Sequence, residues 1–138
     1  MPLYDVVIDR RDTCLTYSLK RVGLSHLIYM GLDNIKKLSD YFHFVDFDID
    51  DVEIGDIILW NKFETEVEIP MSITKDSVIH NTILYKNIHL GVVERNNIFS
   101  DVTRKIYSGI PCIRLRDFND IRLPDYKIIL KNDGHFKI

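Results

Sequence analysis

The chain reads as an α+β domain, with a short helical half ahead of an antiparallel sheet. Three observations predict this class. Helical spacing of apolar residues is confined to the first third of the chain. From Gly55 onward, short runs rich in Ile, Val, Leu and aromatics alternate with turn residues. Helices first and strands afterwards is the order of an α+β fold. At 138 residues, without internal repeats or a Pro/Gly/Ser linker, the chain is expected to form one domain over 1–138. That length supports a core without disulfide staples.

The elements follow in order. A first helix is expected over Thr13–Val22, capped by Asp12, with Leu15, Leu19 and Val22 on one face and Gly23 as its stop. A second is expected over Asn34–Phe42, capped by Asp33, with Ile35, Leu38 and Phe42 turned inward. The acidic stretch Asp46–Asp51 is interrupted by Phe47 and Ile49 and lacks the glycine turn of a calcium loop, so a solvated loop or edge is expected. Strands are expected at Asp56–Asn61, Glu66–Ile69, Val78–Leu84, His89–Glu94, Ile98–Arg104, Cys112–Arg116 and Tyr126–Leu130. The long connection 61–88 is expected to hold an inserted hairpin or flap, serving as a lid, a partner surface or a solvated excursion.

Composition narrows the partners. A formal net charge of −3, with Lys and Arg spread along the chain, gives no basic stripe for nucleic acid. No apolar run approaches the length of a membrane span. The start, Met1-Pro2-Leu3-Tyr4-Asp5, lacks the regions of a signal peptide, so synthesis in the cytoplasm is expected. Cys14 and Cys112 do not make a disulfide framework, and Cys112, inside Ile110–Leu115, is expected in the core. There is no CxxC and no HExxH, and His26, His43, His80 and His135 lack ligand spacing; no metal or other cofactor is expected. The absence of Ala and Gln, with abundant Ile, Asp, Asn and Lys, suggests an AT-rich genome such as that of a phage or low-GC bacterium.

Two segments carry chemistry. Asp12-Thr13-Cys14 sets a thiol in the first turn of a helix, where the macrodipole favours thiolate. His89-Leu90-Gly91-Val92-Val93 sets an imidazole at the start of a strand, able to take the thiol proton. The plainer alternative for each is a packed core cysteine and a satisfied polar histidine.

Together with Gly55-Asp56-Ile57-Ile58-Leu59-Trp60, these segments resemble, in order, the motifs of the NlpC/P60 cysteine peptidases, a compact branch of the papain-like fold. The resemblance covers roughly Tyr4 to Leu130 and implies a Cys-bearing N-terminal helix packed on an antiparallel β-sheet. It also implies a third polar residue on the strand after the histidine, here Asp101, and a cleft tyrosine that donates to an oxyanion, here Tyr4. The proposed triad is then Cys14, His89 and Asp101, with the Cys14 N–H as the other oxyanion donor. The Asp101 assignment depends on a turn. A three-residue loop Arg95-Asn96-Asn97 with Asn97 left-handed sets residue 89 against 103 and leaves Asp101 on the face of His89; a two-residue Asn96-Asn97 turn reverses that face. Where the family usually reads Asp-Cys-Ser-Gly, this chain has Thr13 between Asp12 and Cys14 and then Leu15-Thr16, and with thirteen residues before the thiol the family's first helix is expected to be absent.

The resemblance implies a hydrolase, a thiol peptidase or amidase cleaving an amide bond in peptidoglycan stem peptides through an acyl-enzyme. Its setting would be a phage virion or lysis, or bacterial recycling of wall peptides. Alternatives are a catalytically inactive assembly or binding module contacting phage structural proteins, and a host-directed intracellular protease or acyltransferase. Trp60, Phe63, Tyr85 and Phe99 are the aromatics available to line a cleft.

Overall fold

A computed structural model describes residues 3–61, 73–80, 88–105, 107–118 and 127–132, the side chains of 32, 33 and 61 not included. Its helices are α1 (Cys14–Arg21) and α2 (Lys75–Ile79), and its strands β1 (His43–Asp46), β2 (Ile57–Asn61), β3 (Ile88–Arg95), β4 (Ile98–Arg104), β5 (Pro111–Asp117) and β6 (Lys127–Lys131). The strands form one antiparallel sheet of six, in the order β1-β6-β2-β3-β4-β5. The fold is therefore α+β, with few helices and a single antiparallel sheet.

Alternation along the strands divides the core in two. On the helix side, Leu15, Leu19 and Val22 pack with Ile57, Leu59, Leu90, Val92, Ile128 and Leu130. On the other face, Ile58, Trp60, Val93, Phe99, Phe118 and Ile129 form an aromatic-rich cluster in which Phe99 and Phe118 stack at 5.5 Å. α1 lies across β3 and β4.

Several expectations change. Asp12 does not cap α1: Thr13 is the N-cap, paired with Thr16 in a reciprocal capping box. The second helix is a 3₁₀ segment, Leu32–Asp40, kinked at Asn34 and starting from Gly31, which offers no side-chain cap. Ile35, Leu38 and Phe42 are still buried, because a spacing of three to four serves either helix type. β1 pairs with β6 and was not expected; four residues carry too little alternation to reveal a strand. Val78 and Ile79, expected in a strand, lie in α2 instead. There the Thr74/Ser77 capping box outweighs β-branched content, and buried Val78 anchors the turn. Glu66–Ile69, residues 81–84 and most of the 61–88 insertion lie outside the described residues. Cys112 is half-buried on the edge strand β5 rather than in the core.

The Gly55-Asp56 pair closes one end of the sheet. Gly55 takes φ 95°, a conformation favouring glycine, and turns the chain into β2. Buried Asp56 accepts from the N–H groups of Glu53 and Asn132 and pairs with Lys131 of β6. Lys131 also reaches Glu53 and the Asp51 carbonyl, so one charged cluster binds the start of β2 to the end of β6.

Candidate active site

α1 is built to present its first residue. Its C-terminus ends in a Schellman arrangement: Gly23, at φ 82°, donates to the Lys20 carbonyl and Leu24 to that of Leu19. At the N-terminus, buried Asp12 accepts from the Asp9 N–H and the Thr16 hydroxyl and pairs with Lys20 at 2.6 Å. Burial opposes ionisation of Asp12, but Lys20, the Asp9 N–H and Thr16 outweigh it and hold the carboxyl below its ordinary pKa. Arg104 of β4 adds an outer brace, donating to the carbonyls of Arg10, Asp12 and Gly109 at 2.8–3.1 Å. The residue before the N-cap is thus fixed by its side chain and by its backbone.

Cys14 follows, only 8% exposed. The backbone N–H groups of Leu90, Leu15 and Cys14 favour its anion. The part played by Leu90 follows from the ladder. Val93 donates to Asp56, on the β2 side, so alternation turns the Leu90 N–H toward β4. The β3–β4 register runs from Arg95↔Ile98 through Val93↔Phe99 to Val92↔Ser100 and no further toward His89. The register thus leaves the Leu90 N–H without a β4 partner at the point where the strands part, where it favours the Cys14 anion.

The thiolate expected from the helix terminus is not the resting state. Burial desolvates the thiol and raises its pKa; the N–H groups favour the anion, and the Asp101 carboxylate opposes it. α1 is two turns long, and its dipole does not offset the loss of water. Cys14 rests as a protonated thiol.

His89 alternates with Leu90 and so turns toward the aromatic face, opposite Trp60 in the β2 register, with ring centroids 5.7 Å apart. Asn97 is left-handed at φ 63°, as the three-residue loop requires. This offset leaves Asp101 on the face of Phe99, Val93 and His89, although the strands separate before 89 and 103 can pair. Asp101 is fully buried opposite Arg114 of β5. Arg114 donates to both its oxygens, at 3.1 and 2.9 Å, and Arg116 Nε stands 3.4 Å from Oδ2, an ion contact without hydrogen-bond alignment. The Arg116 guanidinium lies over the Trp60 ring, 5.4 Å from its centroid.

Tyr4 is elsewhere. Its N–H donates to the Arg21 carbonyl, Arg21 returns a bond to the Tyr4 carbonyl, and its ring fills the space a Gly23 side chain would need. This is the C-terminal end of α1, about 12 Å along the helix from Cys14. Tyr4 therefore leaves the candidate site. Trp60 and Phe99 are core side chains rather than cleft walls, while Phe63 and Tyr85 lie outside the described residues.

The structure thus packs Cys14 against Leu90 on the helix side of the sheet and sets His89 and Asp101 together on the opposite, aromatic face, so that it does not bring the thiol and the imidazole into contact. It adds Arg114 and Arg116, which the sequence reading overlooked. A period-two signal was available: Cys112, Arg114 and Arg116 share one face of β5. Among the described residues, no group of three or more His, Cys, Asp or Glu is arranged to hold a metal ion, and no helix is long and apolar enough to cross a membrane. No family model, curated protein or solved structure matches the chain.

Proposed function

We propose that the chain is a thiol peptidase or amidase of the NlpC/P60 kind, acting on an amide bond of peptidoglycan stem peptides through Cys14, His89 and Asp101. The observation that carries this reading is the packing of Cys14, the first residue of α1, in one buried cluster with Leu90, the residue after His89. Because the thiol is protonated at rest, attack is coupled to proton transfer. The reaction requires the His89 ring to leave its place against Trp60 and reach the thiol where β3 and β4 part; the sulfur then adds to the carbonyl carbon as its proton passes to His89. The C–N bond then breaks as His89 returns that proton to the leaving amine. Water, deprotonated by His89, hydrolyses the thioester and regenerates the thiol. Asp101 stabilises the imidazolium in between.

The test is digestion of purified muropeptides, read by mass spectrometry. The wild type is expected to release a new amine and acid pair, and Cys14→Ala and His89→Ala to release none. Products that persist in Cys14→Ala, or a folded wild type that leaves every muropeptide intact, would overturn the reading. A second reading has one observation in its favour. The burial of Cys14 suits a binding or assembly module that keeps the thiol as a plug in the parted ladder. It predicts a folded chain with no turnover, whose Cys14→Ala variant loses stability but not partner binding.

A further inference from the structure

Trp60 is the sole tryptophan of the chain, and His89, Phe99 and Arg116 pack around it. The His89 ring stands 5.7 Å from it, the Phe99 ring 5.2 Å, and the Arg116 guanidinium covers its face. Arg116 is well shielded, its side chain 14% exposed, and its Nε also meets Asp101. Arg114 of the same strand holds both Asp101 oxygens. Lys127 of β6 pairs with Trp60 in the register, but its ammonium donates to the Phe118 carbonyl and lies over the Phe47 ring. From the helix side, Cys14 is the titratable group that feels Asp101.

We propose that Arg116 is a positioning residue. Wedged between the Asp101 carboxylate and the Trp60 indole, it ties the acid to the wall against which His89 rests. The edge strand β5 thereby sets the charge that the imidazole experiences. A planar guanidinium suits this place, because it stacks on an indole while its edge meets an oxygen. The inference deepens the triad reading and rests on it only in giving His89 and Asp101 a shared task.

The consequence has a definite sign. A cation beside Asp101 offsets the pull of the carboxylate on a nearby imidazolium and adds its own repulsion. Its removal therefore makes His89 more basic.

The sole tryptophan supplies the readout, since an imidazolium quenches a neighbouring indole. The full chain is titrated with acid while tryptophan fluorescence is followed, in wild type, Arg116→Gln, Arg116→Lys and His89→Gln. The wild-type transition is expected to vanish in His89→Gln. In Arg116→Gln its midpoint is expected to rise by about half a pH unit or more, and in Arg116→Lys, with the charge kept, to stay within about 0.2 of wild type. The proposal is overturned if the Gln midpoint does not rise, if Lys shifts as far as Gln, or if the transition survives in His89→Gln. Should Arg116→Gln fail to fold, Asp101→Asn carries the opposite sign: a lowered midpoint supports the coupling, and an unmoved or raised one refutes it. Cys14 plays no part in this measurement, so failure of the coupling and failure of the proposed catalysis are separate results.

Discussion

Replacing Asp101 with Asn strikes a fully buried carboxylate that engages two arginines. Removing one member of a buried ion pair costs about 3–5 kcal/mol. Two features reduce the figure here. The Arg114 side chain is 36% exposed and can recover water, and Asn keeps one acceptor oxygen for it. A loss of about 2–3 kcal/mol is therefore expected. In a domain of this size that corresponds to a melting temperature lower by about 6–15 °C. Urea unfolding followed by tryptophan fluorescence measures it directly, with a lower midpoint and an unchanged slope. A loss below about 0.5 kcal/mol would mean that the arginines do not hold Asp101 in solution, and the assignment of β5 to the site would fall with it.

Cys14 is expected to react with iodoacetamide more slowly than Cys112 at neutral pH, by about tenfold or more, and to gain rate only above the ordinary thiol range near ~8.5. Asp101→Asn removes a charge that opposes the thiolate and should speed the reaction at fixed pH; peptide mapping of the alkylated sites gives both rates. Gly91→Ala is expected to cost about 1–3 kcal/mol, because its Cβ would stand 2.6 Å from the Phe99 ring and 2.9 Å from the Ser100 carbonyl oxygen. Denaturant titration checks that value, and a melting temperature within 1 °C (~1 °C being about 0.3 kcal/mol) of wild type would show that the strands yield more than their packing implies. Asp12→Asn should destabilise the fold at neutral pH. The wild-type carboxyl pKa is depressed, so its contribution is full above the unfolded value near ~3.9 and is lost as pH falls through the lower folded value. Thermal melts of both proteins should therefore differ at pH 7 and converge in stronger acid.

Much of the sheet was legible because strand signals are local. Ile98–Arg104 is found as expected, and β2, β3, β5 and β6 differ from their expected bounds by a residue or so. The turn at Asn97 was readable as one of two loop types, since a left-handed asparagine is inexpensive there. What was not legible depends on distant partners. Among the described residues β1 pairs with β6 alone, and α2 depends on a capping box that periodicity does not register. At the site, spacing indicated Cys14 and His89, but the state of the thiol is set by how deeply α1 sinks against β3, which no local pattern records. Tyr4 shows the same limit: ten residues from Cys14 in sequence, it folds back to the other end of the helix.

The strand order has a consequence for biosynthesis. β6 lies between β1 and β2, so the two halves of the sheet are joined by the strand made last among the six. A nascent chain can form the β2–β3–β4–β5 meander on the ribosome, but among the described residues β1 has no strand partner, and Asp56 no ammonium, until Lys131 emerges. Pairings separated by more than eighty residues are slow to close. α1 is the first element translated, yet its apolar face gains the Ile128 and Leu130 side chains only after β6 arrives. The thiol at its tip would thus acquire its finished surroundings only once residues up to 131 had left the exit tunnel.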